Sequence, residues 1–189
     1  NPGIANVFAT AAFRFGHSQA NEVFARVNAD GTVSESPLLL NRCYFRPDIL
    51  AESEESFNAI VRGMLLKKAQ AIDLHVVDGL RNFLFGPRQE GGLDLAAINI
   101  QRGRDHGIPS FSSVGAAYGL ERSREFRDIA DTNEVASKLE ELYRSVDSID
   151  AWVGMLAEKP VTGGEVGETM AAVLKEQFLR LRDGDPYWY

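Results

Sequence analysis

Ala97-Ile98-Asn99-Ile100-Gln101-Arg102-Gly103-Arg104-Asp105-His106-Gly107 combines an apolar helical start with an unusual set of polar side chains. Leu93 to Arg102 reads as a short apolar helix, and Gly103, Gly107 and Pro109 punctuate its exit. Asn99 stands on that helix between two isoleucines. An amide left there without partners would cost roughly 1 to 3 kcal/mol, so Asn99 is expected to have a buried partner. Arg102 falls one turn further along the same face. Two readings follow. Asn99 ties down a loop while Arg102, Arg104 and Asp105 form an ion-pair cluster, or the face serves a bound group.

Outward from this segment the chain reads as helix after helix. Downstream, helical spacing runs over Asn133 to Ser145, Ile149 to Glu158 and Gly167 to Arg182, the last with Met170, Val173, Leu174, Phe178 and Leu181 in step. Upstream, Phe57, Ile60, Val61, Met64 and Leu65 mark one helical face. A further helix capped by Asp73 is expected to run through Leu74, Val77, Leu80, Phe83 and Leu84 until Gly86-Pro87 stops it, with a turn at 89–92. At the start, Asn1 caps a helix with Pro2 at its first position, and Ile4 to Val23 reads as one buried helix. A small β-hairpin is expected near 24–34, with Gly31 at a positive φ in its turn. Pro37 to Pro47 reads as a loop or extended segment. The expected class is mainly α, in one partial domain over 1–189.

The 189 residues carry 44% hydrophobic and 25% charged side chains, which fits an ordinary globular protein and excludes disorder and collagen. The longest apolar run, Ala59 to Leu66, is broken by Arg62, so no membrane span is expected, since one needs about 20 apolar residues. A net charge of −7 argues against nucleic acid as a partner. Cys43 is the only cysteine, so no disulfide forms within the chain. Asn1-Pro2-Gly3 shows neither an initiating Met nor a signal peptide, and the chain closes on Tyr187-Trp188-Tyr189; both ends lead us to expect a processed or cut piece.

The chain has three histidines, and each can be weighed. His17 sits among Phe13, Phe15 and Gly16, with Arg14 one turn before it on the same face. It reads either as a core histidine bonded to a carbonyl, or as an axial ligand. A haem needs a neutral imidazole, an acceptor for the other ring N–H, cations for its propionates and a small residue where the macrocycle meets the backbone. Arg14, Gly16 and His17 supply three of these. His75 reads as a surface or cap-region residue, His106 as a structural hydrogen-bonding residue and Cys43 as a small apolar filler. There is no Gly-x-Ser-x-Gly elbow, Walker loop, paired-cysteine zinc site or His-Glu-x-x-His.

Ala12-Phe13-Arg14-Phe15-Gly16-His17-Ser18 resembles the proximal-histidine segment of the animal-type haem peroxidases, the family of myeloperoxidase, lactoperoxidase and peroxidasin. Leu95 to Gly107 resembles the second signature of that family, and Leu181-Arg182-Asp183-Gly184-Asp185 with the aromatics after it resembles a third. The matches fall in family order and span almost the whole chain. The resemblance implies haem b, with His17 as proximal iron ligand and Asn99 accepting from its other ring nitrogen. It places Arg14 and Arg102 near the propionates and Leu95 and Ile98 on the apolar proximal lining. It also implies hydrogen peroxide as oxidant, halides, phenols or other small reductants as substrates, and an extracellular or secreted location. In the related fatty-acid dioxygenases a tyrosine holds the position of Arg14, so peroxidase is favoured. The absence of disulfide cysteines looks more like a bacterial or otherwise cysteine-poor member.

In the family, the distal histidine, the distal arginine, the calcium loop and the acids that link to haem all lie upstream of the proximal segment. No residue here matches them. The expectation is therefore a proximal, C-terminal portion whose partner is the missing N-terminal half. A non-catalytic helical haem-binding module and a fatty-acid dioxygenase relative are the alternatives.

Overall fold

The structure is a computed structural model that describes residues 1–87 and 90–188. Gln89, part of the expected 89–92 turn, and Tyr189, the last of the closing aromatics, lie outside the described residues. Helices dominate, and the one sheet among the described residues is a two-stranded antiparallel pair, as the mainly α reading expects. The chain divides into two compact units, one of Asn1–Gly16, Ile72–Leu74 and Asn99–Tyr189, the other of His17–Ala71 and His75–Ile98.

The first unit contains α1 (Asn6–Thr10), α7 (Phe111–Ala117), α8 (Phe126–Ile129), α9 (Asn133–Tyr143), α10 (Ala151–Ala157) and α11 (Glu168–Gly184). All seven residues of α10 are buried, which makes it the centre of this unit. Each large apolar side chain so buried contributes roughly 1.5 to 3 kcal/mol. Gly154 permits the close approach of α7, because a Cβ there would lie 2.3 Å from Cγ of Phe111. The helix termini are satisfied from the sequence: Ser110 caps α7, Thr132 caps α9 through Val135 N, and Arg144 closes α9 at φ 59°. The Glu158 carboxylate accepts from the backbone N–H and hydroxyl of Thr169 at the start of α11. Burial pushes that carboxyl up, against the opposing effect of those bonds.

The N-terminal segment departs from the expected single helix. The structure breaks the run from Ile4 to Val23 into α1, a 3-10 turn at Ala12–Arg14 and α2 (Gly16–Gln19). Ala11 carries the break at φ −128° and ψ −73°. Thr10 is buried, and its hydroxyl donates to Asn6 O at 2.7 Å, a local bond that competes with regular helix continuation. Asn1 caps no helix; its side chain accepts from Gly3 N. The segment is instead pinned by α11. Gln177, fully buried, accepts from Ala5 N at 2.7 Å and donates to Gly3 O at 3.3 Å.

The second unit holds β1 (Val23–Phe24), β2 (Leu38–Leu39), α3 (Asp48–Ala51), α4 (Glu54–Leu66) and α5 (Asp78–Arg81). Val23 pairs with Leu39 and Phe24 with Leu38. The expected hairpin lies inside this pair, bridged at Val27 and Val33, with Gly31 at φ 85° in its turn. The 37–47 segment is not all loop, since it carries β2 and a 3-10 turn at Leu40–Arg42. Ser53 caps α4, with Glu54 and Glu55 in its first turn, and Ala59 and Ile60 face inward.

The helix expected from Asp73 to Leu84 is also corrected. Only Asp78–Arg81 is helical, and Val77, not Asp73, occupies the cap position. Leu84 leaves the helical path to form a β-bridge with Leu93, and Phe85 turns the chain at φ 67° ahead of Gly86. The division between the units falls within α2 and within α6 (Leu95–Asp105).

Candidate functional site

In the first unit, Asn99 is fully buried within α6, as its position between two isoleucines demands. Its partner is Arg14, whose Nη1 donates to Oδ1 at 2.9 Å. The same guanidinium donates through Nε to Ala9 O at 3.1 Å, at the end of α1. The backbone carbonyl of Arg14 receives Nε1 of Trp152 at 3.4 Å, from the buried helix α10. Arg14 is thus held through both its main chain and its side chain. Only about 10 Å³ of free space remains among Thr10, Asn99, Gly103 and Trp152, so Asn99 is closely packed.

Arg102 is exposed, and its side chain forms no ion pair among the described residues. Burial lowers the Arg14 guanidinium below its ordinary value, and the charge of Arg102 lowers it further, which shows that the two cations repel. The expected cluster of Arg102, Arg104 and Asp105 does not form. Arg104 instead donates to both carboxylate oxygens of Asp150, at 2.9 and 2.7 Å, and Asp105 accepts from Gln101. His106, in the turn just after α6, fulfils its structural reading: its ring Nδ1 meets Asn6 Oδ1 at 2.9 Å, while Asn6 Nδ2 donates to His106 O.

In the second unit, His17 is half-buried on α2 rather than inside a long buried helix. Gly16 before it is exposed, and a Cβ there would meet nothing within 4 Å. Leu95 and Ile98 are both half-buried. On α6 itself, Leu95, Ile98, Asn99 and Arg102 follow the i, i+3, i+4, i+7 spacing of one helical face. His75 is exposed. Cys43 is half-buried and donates to Leu39 O, and burial raises its thiol.

A cavity of about 220 Å³ in this unit lies among Gln19, Val23, Phe24, Gly63, Met64 and Lys67. It is smaller than the roughly 300 to 1,000 Å³ of small-molecule sites. No three His, Cys, Asp or Glu side chains converge on a metal-binding position among the described residues. Iron held in a macrocycle needs no such cluster, since one imidazole suffices as its protein ligand. Taken unit by unit, the side chains have the chemistry that a carboxylate-bearing macrocycle calls for: an imidazole in the second unit, and in the first a fully buried amide and two cations that repel each other. Sequence reasoning missed Trp152 and Ala9 as the groups that hold Arg14, and Asp150 as the partner of Arg104.

No helix among the described residues is long and apolar enough to cross a membrane. Peroxinectin A of Dictyostelium discoideum is 40% identical over 189 residues, which is all of this chain and 35% of that protein. The solved structure of peroxidase A from Dictyostelium discoideum superposes with a TM-score of 0.94 at 40% identity, over 100% of this chain and 36% of that one. A fatty acid alpha-dioxygenase from Arabidopsis thaliana superposes with a TM-score of 0.82 at 18% identity, over 98% of this chain and 31% of that one, a likeness of fold alone. The chain therefore spans about a third of the length of these relatives. The family model described as animal haem peroxidase matches residues 1–189, and the chain belongs to that family.

Proposed function

We propose that this chain forms the proximal side of a haem peroxidase, with His17 as the protein ligand to iron. Bound haem supplies the redox chemistry, taking oxidising equivalents from hydrogen peroxide and passing them to halides, phenols or other small reductants. The observation that carries the reading is Asn99, a fully buried amide and the one buried residue of α6, with its oxygen turned to Arg14. Burying such a group is costly, and an acceptor for an imidazole N–H is a use that suits it.

In this reading His17 would hold the iron through one ring nitrogen, and Asn99 would be the acceptor for its other N–H. An amide acceptor, unlike a carboxylate, leaves that N–H on the ring, so the imidazole donates less charge. Arg14 and Arg102 would supply positive charge for the propionates, which would relieve the repulsion between the two cations. Leu95 and Ile98, both half-buried, would exclude water from the apolar edge of the macrocycle. Arg14 at the position of the dioxygenase tyrosine favours peroxidase over lipid oxygenation.

Peroxide cleavage also needs a distal base to move a proton and a cation to stabilise the departing charge. His106 is tied to Asn6 and His75 lies exposed. The reading assigns those roles, and calcium binding with them, to further residues of a longer protein. An extracellular setting accompanies it by family resemblance.

The test is peroxide-dependent oxidation of a phenol by the haem-loaded longer protein that supplies those residues, and by its His17→Ala variant. Turnover that falls at least a hundredfold in the variant supports the reading. Turnover that is unchanged in the variant overturns it.

A further inference from the structure

We infer that Tyr143 is a redox-active residue, which gives one electron to the oxidised haem while its phenolic proton passes to Asp150. The inference rests on the haem peroxidase reading proposed above, which supplies the oxidant. Every residue it uses lies in the first unit. Tyr143 ends α9, and its half-buried side chain donates from the hydroxyl to Oδ2 of Asp150 at 2.9 Å. Asp150 stands immediately before α10, and Arg104 of α6 donates to both of its carboxylate oxygens. Asp150 and Asn99 line the same gap of about 10 Å³, so the carboxylate that receives Tyr143 lies beside the buried amide of α6.

The chemistry of a phenol decides what such a pair can do. A phenol that loses an electron becomes a far stronger acid, and the radical forms readily only where a base is already bonded to the hydroxyl. Asp150 meets that need. Its side chain is only 15% exposed, so the carboxylate, not bulk water, is the acceptor at hand. Arg104 and Tyr143 hold its carboxyl below the ordinary value against the effect of burial, which keeps the acceptor free of a proton beforehand. Burial and the bond to Asp150 push the Tyr143 hydroxyl well up, so the phenol keeps its proton until an electron leaves. Tyr44 offers the contrast: its hydroxyl donates to Gly79 O, an amide oxygen that does not hold a proton at ordinary pH.

The step balances. The O–H bond of Tyr143 breaks and an O–H bond forms at Oδ2 of Asp150, while Tyr143 is oxidised and the haem reduced by one electron each. The Arg104 bond to Oδ1 survives the transfer. A phenol in solution then returns an electron to the half-exposed ring, Asp150 returns its proton to Tyr143, and the proton of that phenol goes to water.

The test mixes the haem-loaded longer protein with hydrogen peroxide and a nitroso spin trap, and locates the adduct by peptide mapping. An adduct on Tyr143 is expected, with a tyrosyl signal in electron paramagnetic resonance that falls at least fivefold in Tyr143→Phe. Asp150→Asn keeps an oxygen that accepts from the phenol but does not keep its proton, and the adduct is expected to fall at least tenfold. Asp150→Glu keeps a carboxylate and is expected to recover most of it, a split that a role in packing alone would not produce.

Mapping the unmodified protein requires no variant to fold, so adducts confined to other residues overturn the inference. An Asp150→Asn yield equal to that of the unmodified protein also overturns it. Failure of the haem reading shows differently, as an optical spectrum that peroxide leaves unchanged. A photogenerated ruthenium(III) complex then replaces peroxide as the one-electron oxidant. The Tyr143 adduct is expected to depend on the Asp150 carboxylate in the same way, and its indifference to that carboxylate overturns the proton transfer.

Discussion

Arg104, in the last turn of α6, grips Asp150, the residue immediately before α10, through two hydrogen bonds of 2.9 and 2.7 Å. Tyr143 OH donates to the same carboxylate at 2.9 Å. The pair ties the helix that carries Asn99 to the buried centre of its unit. Burial alone would raise the Asp150 carboxyl, but the bonds from Arg104 and Tyr143 and the charge of Arg104 outweigh it and hold the group below its ordinary value. The Tyr143 hydroxyl is pushed well up, by burial first and then by its bond to Asp150.

Asp150→Asn is therefore expected to destabilise the protein by about 1 to 2 kcal/mol at neutral pH, a figure at the low end for bonds to charged groups because Arg104 is largely exposed. The sign of the pH dependence follows from the lowered value. With the folded pKa below the unfolded one, the stabilisation is complete above roughly pH 4, the ordinary Asp value, and is lost as pH falls through the folded value. Urea unfolding of both proteins from neutral to acid checks this: the gap is expected to close on the acid side. A gap that widens there would contradict the linkage.

Asn99→Ala removes the acceptor of Arg14 and leaves a half-buried guanidinium short of a partner. The expected cost is about 1 to 3 kcal/mol. Chemical denaturation measures it. A substitution within about 0.5 kcal/mol of neutral would mean that the Arg14–Asn99 bond stabilises nothing.

Gly154→Ala places a methyl group within 2.3 Å of Phe111 Cγ, in the middle of a helix whose every residue is buried. Neither α7 nor α10 can yield without disturbing the core between them. The helix propensity gained from alanine is about 1 kcal/mol at most, and the overpacking cost is roughly 1 to 3 kcal/mol. A net loss of stability is expected in thermal melts, and a gain would show that the packing is looser than described.

Much of this was legible in the sequence because helical periodicity was strong where it mattered. Asn99 between Ile98 and Ile100 announced a buried amide with a partner, and the starts of α9 and α11 fall at or next to the expected residues. The break at Ala11 was not legible, since neither Pro nor Gly marks it; a Thr10 hydroxyl turned back on its own helix accompanies it. The helix expected from Asp73 failed for a tertiary reason, the pairing of Leu84 with Leu93. Gln177 was missed although its signal was present: it shares the buried face of α11 with Met170 and Val173, as Asn99 shares that of α6. Asp150, Trp152 and Ala9 carry no local mark, because their partners are distant in sequence or lie across a turn.

The central claim is that His17 ligates haem iron, and the optical spectrum of the haem-loaded protein tests it most directly. The unmodified protein is expected to show a Soret band of a histidine-ligated haem. His17→Ala is expected to lose or strongly shift that band and to recover it when free imidazole is added. A His17→Ala spectrum indistinguishable from that of the unmodified protein would contradict the account, because the iron would then be held by another residue.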